Sequence, residues 1–551
     1  MNNGTIEHST SQKRPAASAS KIIAMKQTTT CLALGLAALL TATAASADTN
    51  ETPRLISADL QQTSGPLDTM FNFCVGAGRA NEGLRADWQR QLTIAHRECG
   101  FRYIRMHGLF TDDMAVYRDY NGKPEYNWQY VDELFDFLHN LGMKPFVELG
   151  FMPNGLASGS KTIFWWKGNV TPPKDMTKWA DLVRAFVEHE KERYGDAEVR
   201  TWYFEVWNEP NLSGGFWTGT QQQYFDLYAA TARAVKSVSP DYKVGGPATA
   251  GCGWISEFIH FCDTNHAPVD FVSTHTYGVE SGYLDETATH GTALSRDPNS
   301  VSGDVKRVRG QIAESAMPNL ELHFTEWSSS YTPADPFHDS YHSAAYILDK
   351  LKKSGDAAQS MSYWTFTDIF EESGPRWEAF HGGFGLMNYQ DIKKPAYYAY
   401  QFLNRLGATE LKNSDPSSWV CADKDGGVQA LVWDFSNTFP KSNMINQVFY
   451  KRDLPSQPKN KVTLKLSHLP KGKYTVETYK VGYRVNDAYD TYRDLGAPNQ
   501  LTKAQVAEIK SKNSGAPAAV GTVKIGKDGN FEQQFDLREN DTVLVTLKPQ
   551  H

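Results

Sequence analysis

The sequence has few cysteines, and their number and spacing exclude two classes of protein. Six cysteines occur in 551 residues, and five remain once Cys31, in the apolar N-terminal stretch, is set aside. An odd, sparse set does not form the disulfide framework of a small secreted fold, and none of the spacings matches a zinc site. We therefore expect no metal and no other cofactor. Cys252 and Cys262 could pair in an oxidising compartment, but buried free thiols are the primary expectation.

Positive charge is also scarce. Lysine and arginine number 56 against 63 acidic residues, which gives a net charge of -7. Phosphate binding needs clustered Lys and Arg, and no such stripe occurs, so the sequence argues against nucleic acid as a partner and favours a neutral substrate. The aromatic content of 12% suits the binding of sugar faces, but it suits core packing equally well.

Long apolar runs are missing except for one near the N-terminus. Residues 31–40 follow Lys26, are too few to span a membrane, and precede the small residues Ala45-Ser46-Ala47 and the polar residue Asp48. This order is typical of a signal peptide that is cleaved between Ala47 and Asp48. The sequence thus predicts a secreted or periplasmic protein without a membrane anchor, and residues 1–47, the leader and signal peptide, stand apart from the fold.

Residues 66–405 alternate short apolar runs with longer segments of helical period. Between the runs, apolar residues recur at three- and four-residue spacing. This alternation predicts an α/β fold, a (β/α)₈ TIM barrel whose active site lies at the carboxyl ends of the strands. The eight candidate strands are residues 71–75, 103–106, 145–149, 202–207, 243–245, 271–274, 321–325 and 362–366.

The pattern changes after residue 405. Residues 428–435, 461–466, 473–479 and 542–547 alternate with period two between turns rich in Gly, Pro, Asn and Asp. They predict a C-terminal all-β sandwich domain over residues 406–551. The N-terminal segment 48–65 can contribute a strand to this domain. Residues 482–498 show no period and are expected to form a loop.

Two glutamates stand at the ends of candidate barrel strands. Glu209 follows strand four in Trp207-Asn208-Glu209-Pro210, and Glu326 follows strand seven in Thr325-Glu326-Trp327. Because the carboxyl ends of the strands share one mouth, both carboxylates should face it. Hydrolysis of a glycosidic bond uses such a pair, one group protonating the leaving oxygen and the other attacking the anomeric carbon or activating water. A single glutamate there would more often be an ion-pair partner.

Arg105 and His107 end strand two with the same side-chain parity. Arg105 can hydrogen-bond Glu326 and keep it ionised, or it can pair with Glu205 inside the barrel, and both contacts can exist together. His107 can bind a sugar hydroxyl or belong to the core.

Around these residues the chain resembles glycoside hydrolase family 39, the family of β-xylosidases and α-L-iduronidases within the clan of retaining (β/α)₈ glycosidases. The resemblance covers residues 66–405 as a barrel and the β-domain beyond. Besides the Asn-Glu-Pro run, it rests on Gly168-Asn169-Val170-Thr171-Pro172-Pro173, Thr274-His275-Thr276-Tyr277, the ten residues from Tyr363 to Glu372, His381-Gly382-Gly383-Phe384-Gly385-Leu386 and Lys394-Pro395-Ala396-Tyr397.

The resemblance implies that Glu209 is the acid/base and Glu326 the nucleophile of a retaining double displacement. The carboxylates of such a pair lie about 5 Å apart, against roughly 6.5 to 9.5 Å in inverting enzymes. The reaction also requires that Glu209 hold a proton at working pH and that Glu326 not do so.

The same resemblance assigns substrate contacts near the two glutamates. Asn208 should contact the 2-hydroxyl of the sugar. His275 and Tyr277, at the end of strand six, should touch the nucleophile or the substrate, with Tyr277 the better candidate for orienting Glu326.

Further contacts are expected after strands eight and three. Trp364 should lie beneath the sugar, and Glu371 or Glu372 should accept hydrogen bonds from its 3- and 4-hydroxyls. Trp165, with its two aromatic neighbours in the insertion after strand three, either walls the pocket or packs as loop core.

The predicted substrate is a short β-1,4-linked xylo-oligosaccharide, cut from its non-reducing end by a β-D-xylosidase. An α-L-iduronidase would need Lys or Arg for a uronic carboxylate. No basic cluster adjoins the motifs, although Lys167 and Arg376 lie close in sequence. Iduronidase or arabinosidase specificity and a non-catalytic carbohydrate-binding protein are the alternatives, and the paired glutamates argue against the last. The sequence predicts no oligomeric state.

Overall fold

The computed structural model describes residues 54–282, 291–436 and 444–550. The predicted leader and signal peptide lie outside these residues. Within them, no helix combines the length and the apolar composition that crossing a bilayer requires.

Eight parallel strands close into a barrel, and their order around it follows the sequence. Each strand pairs in parallel with the next, and the eighth pairs with the first. The predicted fold class is therefore confirmed. Barrel strands one to eight are Cys74–Arg79, Tyr103–His107, Lys144–Leu149, Tyr203–Val206, Lys243–Thr249, Phe271–Tyr277, Glu321–Ser328 and Ser360–Tyr363.

A main helix follows each barrel strand and packs one apolar side inward. In the second helix, for example, Val131, Leu134, Phe135 and Leu138 are buried at helical spacing. The eight main helices are Ala86–Cys99, Gln129–Leu141, Met176–Tyr194, Gln221–Val238, Ile255–Thr264, Ser302–Ala313, His342–Ser354 and Pro395–Leu403.

Aromatic side chains fill the lower part of the barrel and so place the polar layer above it. Phe146 stacks on Tyr203 at 5.0 Å, and Phe271 packs against both rings. Side chains two residues further along a strand point the same way, one layer higher. Glu148 and Glu205 occupy that layer, directly below the mouth.

Strands five, six and seven run three or four residues beyond their predicted ends, to Thr249, Tyr277 and Ser328, and strands one and eight differ more. Strand one begins at Cys74 because Met70–Asn72 forms a 3-10 turn before it. Strand eight is Ser360–Tyr363, so it ends before Trp364, whose amide still donates to Trp327 O at 3.0 Å. The apolar residues that extended the predicted strand eight are buried in the loop that follows it.

Two further sheets share a second core. The three-stranded sheet holds Arg54–Asp59, Val462–Ser467 and Phe531–Phe535, and Arg54–Asp59 pairs in parallel with Val462–Ser467. Ile56 and Leu464 pack with Val432 and Val545 of the facing sheet. The seven-stranded sheet consists of Thr63–Pro66, Thr409–Leu411, Ser418–Ala422, Val428–Trp433, Thr542–Pro549, Gly472–Val481 and Ala519–Ile525.

Helices also occur in this C-terminal region, where the sequence predicted only strands and loops. The stretch expected to be a loop contains the helix Ala488–Asp494, which begins at Asp487, whose side chain accepts from Asp490 N. Seven residues are too few to display a helical period, which is why the pattern missed it. The other helices here are Asn446–Phe449 and Lys503–Lys512.

The cysteines outside the leader are buried free thiols, Cys252 and Cys262 among them. Burial raises the pKa of Cys252 to about 12. The thiol therefore stays protonated and unreactive at neutral pH.

Leu464→Ala should destabilise the β-sandwich, because Leu464 is fully buried in the core that joins its two sheets. A loss of about 2–5 kcal/mol in the free energy of unfolding is expected from such a cavity. Lys465→Ala, at the exposed next position, should cost less than about 0.5 kcal/mol. Denaturant unfolding followed by tryptophan fluorescence measures both, and equal losses would contradict the register of this strand.

Candidate active site

Arg105 lies at the centre of the barrel mouth and is fully buried. Its guanidinium donates to Glu205 Oε2 at 2.5 Å and to Glu326 Oε1 at 2.6 Å. It also donates to Asn208 Oδ1 at 2.9 Å and lies 2.9 Å from Glu148 Oε2. Both contacts left open by the sequence, to Glu326 and to Glu205, are thus present together.

Burial and the charge of Arg105 act in opposite directions on the pKa values of the carboxyl groups around it. Burial alone would raise the pKa of Glu205, but Arg105 lowers it below the usual value. Burial raises the pKa of Glu148 to about 8, against the pull of Arg105. The barrel interior therefore holds a charged guanidinium beside carboxyl groups of different proton affinity.

Glu326 lies two residues before the end of strand seven and is held from two sides. Tyr277 Oη donates to Glu326 Oε2 at 2.7 Å, while Arg105 donates to the other oxygen. His107 Nε2 and His275 Nδ1 each lie 3.6 Å from this carboxylate. Donors aimed at both oxygens fix the orientation of Glu326.

Glu209 follows strand four in a sharply turned backbone. Trp207 and Glu209 have φ values of 72° and 46°, in the left-handed region that residues other than glycine seldom adopt. Glu209 N donates to Ala248 O at 2.8 Å, and Trp207 Nε1 donates to Phe216 O at 2.8 Å. These contacts hold the turn that directs Glu209 into the mouth.

The carboxyl groups of Glu209 and Glu326 approach each other across this mouth. One oxygen of each and one ring nitrogen of His275 all lie within 4.8 Å of one another. His275 Nδ1 is 2.8 Å from Glu209 Oε1. Burial raises the pKa of Glu209 to about 8, with a smaller contribution from Glu148 and an opposing one from Arg105. Glu209 therefore holds a proton at neutral pH.

His107, Trp364 and Glu372 lie together on one side of the mouth. His107 Nε2 lies 3.6 Å from Glu372 Oε1, and its ring is 4.8 Å from that of Trp364. The guanidinium of Arg105 lies over Trp364 at 5.8 Å. Burial lowers the pKa of His107 to about 3, so that its imidazole is neutral.

Glu371 and Trp165 lie away from this cluster. The carboxylate of Glu371 pairs with Arg79 at 3.0 Å and with Arg85 at 2.8 Å. The side chain of Trp165 is 55% exposed, and its backbone amide donates to Glu372 O at 2.7 Å. Of the two neighbouring glutamates, Glu372 is therefore the one that reaches the mouth.

Sequence reasoning missed Glu148. It is the charged residue in the apolar run of strand three, and its Oε2 is 2.6 Å from His107 Nδ1 as well as close to Arg105. The available signal was a carboxylate in an otherwise apolar buried strand, paired in register with Glu205 of strand four.

The donor atoms of Glu209, His275 and Glu326 are close enough together to hold a metal ion. However, the guanidinium of Arg105 contacts Glu326 at 2.6 Å and so places a fixed positive charge beside the position of such an ion. This electrostatic arrangement opposes a cation and suits acid–base chemistry between the carboxyl groups.

Comparison with known proteins gives one consistent family. The family described as "Glycosyl hydrolases family 39" matches residues 54–530. A protein named "Beta-xylosidase" from Geobacillus stearothermophilus is 46% identical over 87% of this chain and 92% of its own length.

Solved structures agree over most of the chain. The GH39 enzyme from Xanthomonas axonopodis pv. citri is 45% identical with a TM-score of 0.88, and the match covers 91% of this chain and 98% of that one. A monomeric beta-xylosidase from Caulobacter crescentus CB15 is 44% identical with a TM-score of 0.87, over 90% of this chain and 100% of that one.

Arg105→Met should lower the free energy of unfolding by about 3–5 kcal/mol, because it leaves buried carboxylates without their positive partner. The matched control is Arg118→Met, whose side chain is 72% exposed and pairs with Glu125 at the surface. It should cost less than about 0.5 kcal/mol. Denaturant unfolding measures both, and equal small losses would refute the central role of Arg105.

Proposed function

This chain belongs to glycosyl hydrolase family 39 and is a glycoside hydrolase, and on that premise we propose that it is a retaining β-D-xylosidase. It would release xylose from the non-reducing end of short β-1,4-linked xylo-oligosaccharides. The substrate class follows the similarity to two proteins named beta-xylosidase at 46% and 44% identity.

The observation that carries the proposal is the pairing of Glu209 with Glu326, in which one carboxyl oxygen of each residue lies within 4.8 Å of one oxygen of the other. This separation supports retention, because inversion needs room for a water molecule between the two groups. The environments also differ in the required sense. Glu209 is buried with a raised pKa, whereas Glu326 accepts from Arg105 and Tyr277.

The reaction would proceed in two displacements. Glu326 attacks the anomeric carbon while Glu209 gives its proton to the departing glycosidic oxygen, so a glycosyl ester forms and the leaving group departs as an alcohol. Glu209, now ionised, takes a proton from a water molecule as the water oxygen attacks the same carbon. The ester bond to Glu326 breaks, and the sugar leaves with its original configuration.

The remaining groups would bind the sugar. The Oδ1 of Asn208 accepts from Arg105, so its amide nitrogen is the group that would donate to the 2-hydroxyl oxygen. Trp364 offers an aromatic face beneath the ring, and Glu372 lies where the 3- and 4-hydroxyls would reach. His107 stands between them, within reach of a ring hydroxyl.

The charges near the mouth support a pentose over a uronic acid. A uronate would need a cation free to meet its carboxylate. Arg105 is engaged by the carboxylates around it. Arg376 lines a separate cavity on the outer side of Glu371, together with Trp377. Lys167 is exposed. Among the residues that the structure describes, these three cations therefore do not favour a uronic acid at this position.

Export after cleavage of the signal peptide is part of the proposal. The order of charged, apolar and small residues before Asp48 supports it. Sequencing of the N-terminus of the mature protein from the producing cells tests it, and a mature chain that retains residues 25–47 would refute it.

Glu209→Ala should lose about 10²–10⁴-fold in kcat on xylobiose, because the leaving oxygen no longer receives a proton. With an activated aryl β-xyloside, azide should restore turnover and give β-xylosyl azide. NMR of the product measures its configuration. The isosteric Glu209→Gln is the control, since its amide blocks entry of azide, and an α-azide from Glu209→Ala would refute the assigned roles.

The pH dependence of kcat/KM should report the proton on Glu209. Because burial raises its pKa from the ordinary 4.5 to about 8, the protonated acid persists through neutral pH and is lost above it. For xylobiose, kcat/KM should therefore fall as the pH rises through about 8. The alkaline limb should disappear in Glu209→Gln, and a limb near pH 5 that this variant retains would contradict the assignment.

A further inference from the structure

The loop after strand eight has two sides, and neighbouring glutamates face opposite ones. Glu372 Oε1 lies 3.6 Å from His107 Nε2 in the mouth. Glu371 instead faces Arg79 and Arg85, and it lines a separate cavity of about 350 Å³ with Arg85 and Trp377. A single step along the chain therefore separates the catalytic mouth from a second space.

The orientation of the sugar, which rests on the proposed function, shows what lies between the two spaces. The anomeric carbon must sit between Glu209 and Glu326. From Glu326 the contacts lead to His107 and then to Glu372, each at 3.6 Å. Carbon 4 of a pyranose lies across the ring from carbon 1, so its hydroxyl points towards Glu372 and the loop behind it.

Behind Glu372 stands a cross-linked wall, made of Arg79, Arg85 and Glu371. Glu371 Oε2 pairs with Arg79 at 3.0 Å and Oε1 pairs with Arg85 at 2.8 Å, so both of its oxygens are used. Glu371 N donates to the buried Glu82 at 2.9 Å. The guanidinium of Arg79 also pairs with Asp113. Residues from separate loops thus lock this side of the pocket.

Aromatic residues of the strand-three insertion reinforce the wall. The amide of Trp165 donates to Glu372 O at 2.7 Å, and its ring packs against Gly374. Arg79 lies over the ring of Trp166 at 5.6 Å. A sugar attached to oxygen 4 would have to displace these contacts.

We propose that the ion pairs of Glu371 with Arg85 and Arg79 determine the length of sugar that the enzyme releases. While these ion pairs are formed, the pocket has room for one xylose unit on the non-reducing side of the scissile bond. The cavity beyond them is a latent site for a second β-linked xylose. It offers the indole of Trp377, 79% exposed, and the side-chain amides of Gln390 and Gln500. Indole faces pack on sugar C–H groups, and amides bond hydroxyls.

The test uses 4-nitrophenyl β-xylobioside and follows the first product of each enzyme. The wild-type protein should release xylose first, so that 4-nitrophenol appears only after a lag. The double variant Arg85→Ala with Glu371→Ala should release xylobiose and 4-nitrophenol together, without the lag. The initial ratio of xylobiose to xylose should rise by about tenfold, the value of one additional sugar contact of roughly 1.4 kcal/mol.

Two further variants make the result specific. Arg90→Ala removes an exposed ion pair with Asp391 from the helix that follows Arg85, and it should leave the products unchanged. Trp377→Ala, added to the double variant, should reverse most of the gain in xylobiose. A double variant that is folded and hydrolyses 4-nitrophenyl β-xyloside, yet still releases xylose first, overturns the proposal.

Two controls separate this proposal from its premise and from a failure to fold. If the wild-type protein hydrolyses no xyloside, the proposed function itself is refuted, and not only the proposed role of the wall. If the double variant does not fold, Arg85→Ala decides, with 4-nitrophenyl 4-O-methyl-β-xyloside as the substrate. If the wild type does not hydrolyse this substrate and Arg85→Ala does, the proposed role of the wall is supported. If neither protein hydrolyses it, that role is overturned.

Discussion

The active site depends on the contacts that the buried guanidinium of Arg105 makes with the glutamates around it. Removing a charge from water costs several kcal/mol, and the cost is offset only when partners with good geometry surround it. Arg105 has such partners in Glu205, Glu148 and Glu326. Each of them comes from a different barrel strand, so one cation fixes the relative positions of side chains from distant parts of the chain.

The same cation separates the roles of the two mouth glutamates. Glu326 is in direct contact with Arg105, whereas Glu209 feels its charge from a greater distance and is dominated by burial. A carboxyl group that loses water without gaining a cationic partner keeps its proton. Burial without a direct contact to Arg105 therefore accounts for the acid character of Glu209, and Glu148 shows that burial raises the pKa of a carboxyl group to about 8 even beside the guanidinium.

The sequence predicted the parts of this arrangement that follow from strand period and barrel geometry. Residues at the ends of strands two, four, six and seven meet because parallel strands share a mouth, and Arg105, Glu209 and Glu326 do so. The positions of side chains on loops could not be predicted, because they depend on the path of each loop. Whether Glu371 or Glu372 turns inward is decided by partners on other loops, Arg79 and Arg85, which no local pattern reveals. Glu148 was missed although its strand was predicted, because one charge within an apolar run gives no local sign of the residues that it contacts.

Strand ends and loops also have different roles in the proposed function, since the first carry the reacting groups and the second limit which substrates fit. The groups proposed to make and break bonds stand at strand ends, where the closed barrel and Arg105 hold them. The wall behind Glu372 joins Arg79, at the end of strand one, and Arg85, in the loop after it, to Glu371 in the loop after strand eight, and the insertion after strand three packs against it. Its contribution to specificity is steric, because the paired side chains occupy the space that a second sugar would need. Substitutions in the wall can therefore change the length of sugar chain that fits while Glu209 and Glu326 keep their positions. The wall and the mouth are connected along the chain only where Glu371 adjoins Glu372.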